Sequence, residues 1–207
     1  MSKIKICGMM RKEDIEAVNE LRPDFVGFIM STEQKFRRQI SVHKAEKFRS
    51  ILKPSIKAVG VFVDEPLDFI EEICENDIID LIQLHGAEDD DYILELSRRT
   101  KTPIIKAVHA RTTEQILEAE KLHCQYLLLD TAYTDKVGGG GQSFNWDIIP
   151  EKLQKPFFLA GGINADNITD AVKAVNPYSI DLSSSVETDG QKDKSKMKEV
   201  IEKVRRV

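Results

Sequence analysis

Cys7 closes the run KIKIC and is followed at once by Gly8. A thiol in that place is either a small buried side chain or a reactive group at the mouth of a site. Asp130 ends QYLLLD, where Leu127, Leu128 and Leu129 would bury the stem of its carboxyl group. Burial favours the protonated carboxyl and suits a general acid; the plainer alternative is a cap for the following loop. Gly161-Gly162 and the run Ser183-Ser184-Ser185 have the make-up of an anion site. Glycine lets backbone N–H groups approach a phosphate, and a short helix opening after the serines would add its own N–H groups and positive end. Gly161, Gly162, Ser184 and Ser185 are therefore candidate phosphate-binding residues, although a tight turn and a helix cap would use the same types. The four glycines at 138–141, Gly140 and Gly141 among them, suit a loop that closes over a substrate, or mere slack. His85 and His109 each end an apolar run, where histidine more often bonds a backbone carbonyl than performs chemistry. Lys106, inside IIKAV, has the surroundings of a Schiff-base lysine. The plainer expectation is an ion pair with Asp181, the only carboxylate within the run YSIDLSS. No Ser–His–Asp triad, CxxC pair or metal-ligand spacing stands out.

The elements that would position these groups repeat one theme. Near-continuous apolar runs occupy 3–7, 25–30, 56–63, 79–85, 103–109, 125–130, 156–161 and 178–184, the pattern of parallel strands covered on both faces. Helical stretches alternate with them. Ile15, Val18 and Leu21 share one face of 12–21, Ser41 opens 41–52, and Pro66 begins 66–74. Thr112 and Thr113 open the stretch that follows 103–109, and Asn164 is the expected cap of the stretch to Val175. The lysine-rich segment 192–206 reads as a solvated helix face. Strand and helix alternating eight times predict an α/β fold, a (β/α)8 TIM barrel forming a single domain over 1–207. An open doubly wound sheet is the alternative, but it would want more glycine after the first strand than Gly8 supplies. In the barrel the active site lies at the C-terminal strand ends, where Cys7, the pair Arg37-Arg38, Asp64, His85, His109, Asp130, Gly161-Gly162 and the serine run all fall.

With 207 residues the chain is long enough for one sizeable core. Its 35 acidic side chains exceed 30 basic ones, a net charge of −5 that argues against non-specific nucleic-acid binding. No stretch approaches the ~18 apolar residues of a membrane helix, and no signal-type run precedes the first strand. Three well-separated cysteines suit a reducing compartment, so a cytoplasmic protein is expected.

The segments KICGM (5–9), QLHG (83–86), LLLDT (127–131), GGGGQSFNW (138–146), LAGGI (159–163) and DLSSSVE (181–187) resemble, in order and along the whole chain, the signature segments of the N-(5′-phosphoribosyl)anthranilate isomerase family. The resemblance implies an Amadori rearrangement of phosphoribosylanthranilate to 1-(2-carboxyphenylamino)-1-deoxyribulose 5-phosphate in tryptophan biosynthesis, with no cofactor and no metal. It places the general base on Cys7, with a thiol of depressed pKa, and the general acid on Asp130. It gives the anthranilate carboxylate to an arginine after the second strand, Arg38 by its following residues, with Arg37 as the alternative. Gly140, Gly141, Gly161, Gly162, Asp181, Ser184 and Ser185 fall on the substrate-binding segments. A monomer or a homodimer is expected. Two departures stand out: the loop STEQKFRR is longer than usual, and Ser185 stands where glycine is common, which would strain the backbone if φ there is positive. The sister isomerase of histidine biosynthesis, with an aspartate where Cys7 stands and a second phosphate site, and a non-catalytic sugar-phosphate-binding barrel are the alternatives.

Overall fold

The computed structural model describes residues 1–130 and 146–207. Eight parallel strands, β1 (Lys3–Cys7), β2 (Phe25–Ile29), β3 (Lys57–Phe62), β4 (Leu81–Leu84), β5 (Ile104–Val108), β6 (Tyr126–Asp130), β7 (Phe157–Ala160) and β8 (Ser179–Leu182), pair each with the next, and β8 returns to β1. The closed barrel excludes the open sheet.

Side chains alternate across each strand, and that parity divides the interior in two. Ile4, Ile6, Val26, Phe28, Ile82 and Leu127 face outward into the core beneath the helices. Phe25, Val59, Leu81, Ile105, Leu128 and Phe158 face inward and fill the lumen. The lower lumen is an aromatic plug, with the rings of Phe25 and Phe158 at 5.4 Å and those of Tyr126 and Tyr178 at 5.2 Å. Above it the inward positions turn polar: Lys5 and Cys7 on β1, Gln83 on β4, Asp130 on β6 and Asp181 on β8.

The described residues form seven α-helices: α1 (Lys12–Leu21), α2 (Val42–Ile51), α3 (Leu67–Glu75), α4 (Asp90–Arg99), α5 (Thr113–Ala119), α6 (Ile168–Val175) and α7 (Lys194–Arg205). Ser41 and Thr112 cap α2 and α5 by accepting from Lys44 N and Gln115 N, as their types predict. Between β4 and β5 lies α4, which Asp89 caps by accepting from Tyr92 N at 2.9 Å. Two expectations fail locally. Asn164 does not cap α6; its Oδ1 accepts from Asp166 N at 2.8 Å in a turn, and the helix starts only after Asn167. Lys192 is not on the solvated helix. It lies in a two-stranded hairpin, β9 (Glu187–Thr188) with β10 (Gln191–Lys192), and is buried. Between β6 and β7 the described residues contain only a 3₁₀ turn, Trp146–Ile148. Among the described residues no helix is long and apolar enough to cross a membrane.

Candidate active site

A cavity of about 580 Å³ opens at the C-terminal ends of the strands, a size suited to a small ligand. Cys7 enters it from the last position of β1, directly opposite Gly27 of β2. A Cβ on Gly27 would lie 2.6 Å from the thiol, so this glycine is the space in which Sγ sits. Gly8, at φ 82°, turns the chain away and leaves room for the stem of Arg38, whose Cδ would be 2.7 Å from a Cβ there. The last residue of KICG thus shapes the Arg38 side of the cavity as much as the thiol side.

One layer below Cys7, Lys5 lies opposite Asp181 in the β1–β8 register and pairs with it at 2.9 Å. Neither side chain is more than 8% exposed. Burial alone would lower Lys5, but Asp181 and Cys7 hold it above the ordinary lysine value. Burial pushes the Cys7 thiol up, and Asp181 adds to the rise; Lys5 and Lys192 oppose it without reversing it. The expected depressed thiol is therefore overturned, because the same packing that brings cations near Cys7 removes water from it. The expected pairing of Lys106 with Asp181 fails by parity. Lys106 points outward from β5, between the inward Ile105 and Ala107, and pairs instead with Glu88 at 2.6 Å. It does not line the cavity, which removes the Schiff-base alternative.

Asp130 lines the cavity from the end of β6, and its side chain is 18% exposed. His85 follows β4 on the inward parity and brings Nε2 to 3.4 Å from Asp130 Oδ2. Gln83 Nε2 lies 2.9 Å from the other ring nitrogen of His85. With Gln83 donating there, the ring proton sits on Nε2, facing the carboxyl. His109 stacks edge-on against His85 at 5.5 Å.

Gly161 and Gly162 both adopt positive φ, 80° and 64°, after β7, and nothing lies within 4 Å of a Cβ built on Gly162. Across from them Ser184–Val186 forms a single 3₁₀ turn that takes in two of the serines and runs straight into β9, so the helix expected to open after the serine run is replaced by this turn. Ser184 and Ser185 line the same end of the cavity. The φ of Ser185 is not positive, so serine in place of glycine carries no backbone strain. Gln83, Asp181 and Ser185 line the cavity, and one buried side-chain oxygen of each, Oε1, Oδ1 and Oγ, has no hydrogen-bond partner among the described residues. Buried polar atoms without partners are costly, and three beside one cavity give its floor unused capacity for polar partners.

Of the arginine pair only Arg38 lines the cavity; Arg37 turns outward and is 55% exposed. Phe36, Ile29, Val61 and Val63 give the remaining wall an apolar face. Gly140 and Gly141 lie outside the described residues. Among the described residues no group of three His, Cys, Asp or Glu side chains is placed to hold a metal. Sequence reasoning passed over Lys5, Gln83, Phe36 and Lys192. For Lys5 the signal was available: it shares the parity of Cys7 two residues away.

Residues 4–203 match the family model of N-(5′-phosphoribosyl)anthranilate (PRA) isomerase. The N-(5′-phosphoribosyl)anthranilate isomerase of Endomicrobium trichonymphae is 46% identical over 205 residues, covering 99% of each chain. The crystal structure of phosphoribosyl anthranilate isomerase from Thermotoga maritima superposes with a TM-score of 0.88 at 30% identity, covering 100% of both chains. A phosphoribosyl anthranilate isomerase in complex with reduced 1-(o-carboxyphenylamino)-1-deoxyribulose 5-phosphate superposes at 0.82 with 28% identity, again over 100% of both.

Proposed function

Because the chain belongs to the N-(5′-phosphoribosyl)anthranilate isomerase family of tryptophan biosynthesis, we propose that Cys7 and Asp130 divide that isomerisation between them as base and acid. The reaction is an internal redox exchange. The aldose carbon C1′ is reduced and C2′ is oxidised to a ketone, with only protons moving between substrate and protein. Asp130 gives its proton to the furanose ring oxygen; the C1′–O bond breaks, and the anthranilate nitrogen supplies the electron pair of the Schiff base. Cys7 as thiolate then takes the proton from C2′. The C–H electrons form the C1′–C2′ double bond of an enolamine, which tautomerises to the aminoketone as C1′ gains a proton and the 2′-hydroxyl loses one.

The observation that carries this reading is that Cys7 and Asp130 line one cavity, whose phosphate-type and carboxylate-type ends also share it. The N–H groups of Gly161 and Gly162 and the serine turn would hold the 5′-phosphate. Arg38 would hold the anthranilate carboxylate, and Phe36 lies on the wall beside it. Asp181 Oδ1 and Gln83 Oε1 offer acceptors to the ribose hydroxyls. Two anchored ends leave the sugar little freedom to move away from the acid and base. His85 Nε2–H supports the ionised form of Asp130 after it has given up its proton.

The test is loss of anthranilate-type fluorescence when freshly generated phosphoribosylanthranilate meets the purified wild type, Cys7→Ala or Asp130→Asn. Each variant is expected to lose at least ~10²-fold in kcat while keeping its circular dichroism. A Cys7→Ala protein that turns over at the wild-type rate sinks the assignment of the base.

A further inference from the structure

Glu187 follows the serine run on β9, and nothing above gives it a part in the reaction. Its carboxylate meets Arg38 side-on, Nε donating to Oε1 at 2.6 Å and Nη2 to Oε2 at 2.9 Å. A guanidinium has five N–H donors, and this pairing uses Nε–H and one hydrogen of Nη2. Both Nη1 hydrogens and the second Nη2 hydrogen remain, and together they form the end-on fork that suits another carboxylate.

Arg38 lines the cavity, whereas Glu187 lies behind it with its side chain 6% exposed. Glu187 is itself fixed from two further sides. The fully buried Lys192 side chain donates to Oε1 at 2.8 Å and to the carbonyl of Ser183 at 2.9 Å. Arg37 donates to Oε2 at 2.8 Å and to the carbonyl of Gly190 at 2.9 Å. Three cations around one carboxylate leave a net positive cluster, so a second carboxylate arriving at Arg38 meets attraction.

We infer that Glu187 is the positioning residue of the substrate-carboxylate site: it grips Arg38 side-on and presents the end-on edge to the anthranilate carboxylate, while Lys192 and Arg37 hold Glu187 in place. This rests on the reading of Arg38 as the carboxylate anchor. It also gives Arg37 a different task from Arg38, as an outer support. The opposite arrangement, Glu187 as an internal competitor that the substrate must displace, would use the end-on edge of Arg38, and the observed pairing leaves that edge open.

Two ligands separate the possibilities in calorimetric titrations: reduced 1-(2-carboxyphenylamino)-1-deoxyribulose 5-phosphate and its phenylamino counterpart without the carboxylate. Arg38→Met is expected to weaken the first by roughly 10²-fold and leave the second unchanged, as loss of a charge-assisted pair predicts. Glu187→Gln should weaken the first by about tenfold and spare the second, with KM raised and kcat within about threefold. Glu187→Asp should weaken it less. It also keeps the counter-charge of buried Lys192, so it carries the test if the glutamine variant fails to fold. In the Arg38→Met background, Glu187→Gln should cost nothing more. Tighter or unchanged binding of the carboxylated ligand by the Glu187 variants, with Arg38→Met still weakened, overturns the inference and leaves the anchor standing. Equal loss for both ligands overturns it as well, since that marks general damage. An Arg38→Met protein that binds both ligands normally removes the anchor, and the inference falls with it.

Discussion

Burial raises the Cys7 thiol while Lys5 and Lys192 pull against it, and that balance sets how readily the thiol ionises. The shift is upward from an ordinary 9.0, so thiol predominates over thiolate at pH 7. Ionisation can be followed apart from turnover, by the initial rate at which iodoacetamide alkylates Cys7 in a protein carrying Cys74→Ala and Cys124→Ala. That rate should rise about tenfold per pH unit from pH 7 and still be rising at pH 9. Lys5→Met removes a charge that favours the thiolate, so in the same background its alkylation rate should lie lower at every pH in the window. A rate that is flat from pH 7 to pH 9 would refute the reasoning, because the thiol would already be ionised and the two lysines would have outweighed desolvation. A Lys5→Met profile that overlays the wild type would sever the proposed electrostatic link between the two layers.

Three further outcomes are expected. Cations around Glu187 hold its carboxyl at about 2, against an ordinary 4.5. A depressed carboxyl stabilises the fold above pH 4.5 and loses that contribution as pH falls towards 2. The gap corresponds to ~3 kcal/mol, reduced by solvent screening around exposed Arg37 to about 1–2 kcal/mol at pH 7. Glu187→Gln should accordingly melt about 2–8 °C lower at neutral pH and close roughly half of that difference by pH 3, whereas a deficit constant over that range contradicts the linkage. Lys106→Met strands Glu88 as a buried unpaired charge, so it should cost about 3–5 kcal/mol in urea unfolding; because Lys106 faces away from the cavity, kcat at 20 °C should hold, and the reverse pattern would restore a catalytic lysine. Gly27→Ala places a Cβ 2.6 Å from Sγ and should lower kcat by at least ~10²-fold through displacement of the base; near-wild-type turnover would mean the thiol need not sit where it does.

Much of this was legible in the chain because a barrel of parallel strands writes itself as repeated apolar runs. The strand ends carried Cys7, Asp130, Gly161-Gly162 and the serines into one mouth, since the fold directs all such ends the same way. What stayed hidden follows from four causes. Strands buried on both faces do not display their parity as alternating polarity, so Lys106 could be mistaken for the partner of Asp181 while Lys5 was overlooked. Contacts closed by loops depend on tertiary distance alone: nothing in the spacing of 187 and 192 to 38 foretells that Glu187 meets both Arg38 and Lys192. Asn164 was misjudged because an Asx turn and an N-cap draw on the same side-chain oxygen. The direction of the Cys7 shift was misjudged because cations near a thiol can be inferred from a sequence, whereas loss of its water cannot.

The C-terminal hairpin has a consequence for the order in which the protein becomes competent. Ser183 Oγ donates to the carbonyl of Cys7, and Lys192 holds Ser183 and Glu187 together, while Arg38 waits some 150 residues upstream for its partner. A chain emerging from the ribosome therefore carries its thiol and its arginine long before the residues that brace them. Until β8 and the hairpin have been made, Cys7 has one open flank and Arg38 has no grip. A chain that stops short of Glu187 leaves the guanidinium free to swing, so the orientation of Arg38 reports that the strand beyond the serine run has been made.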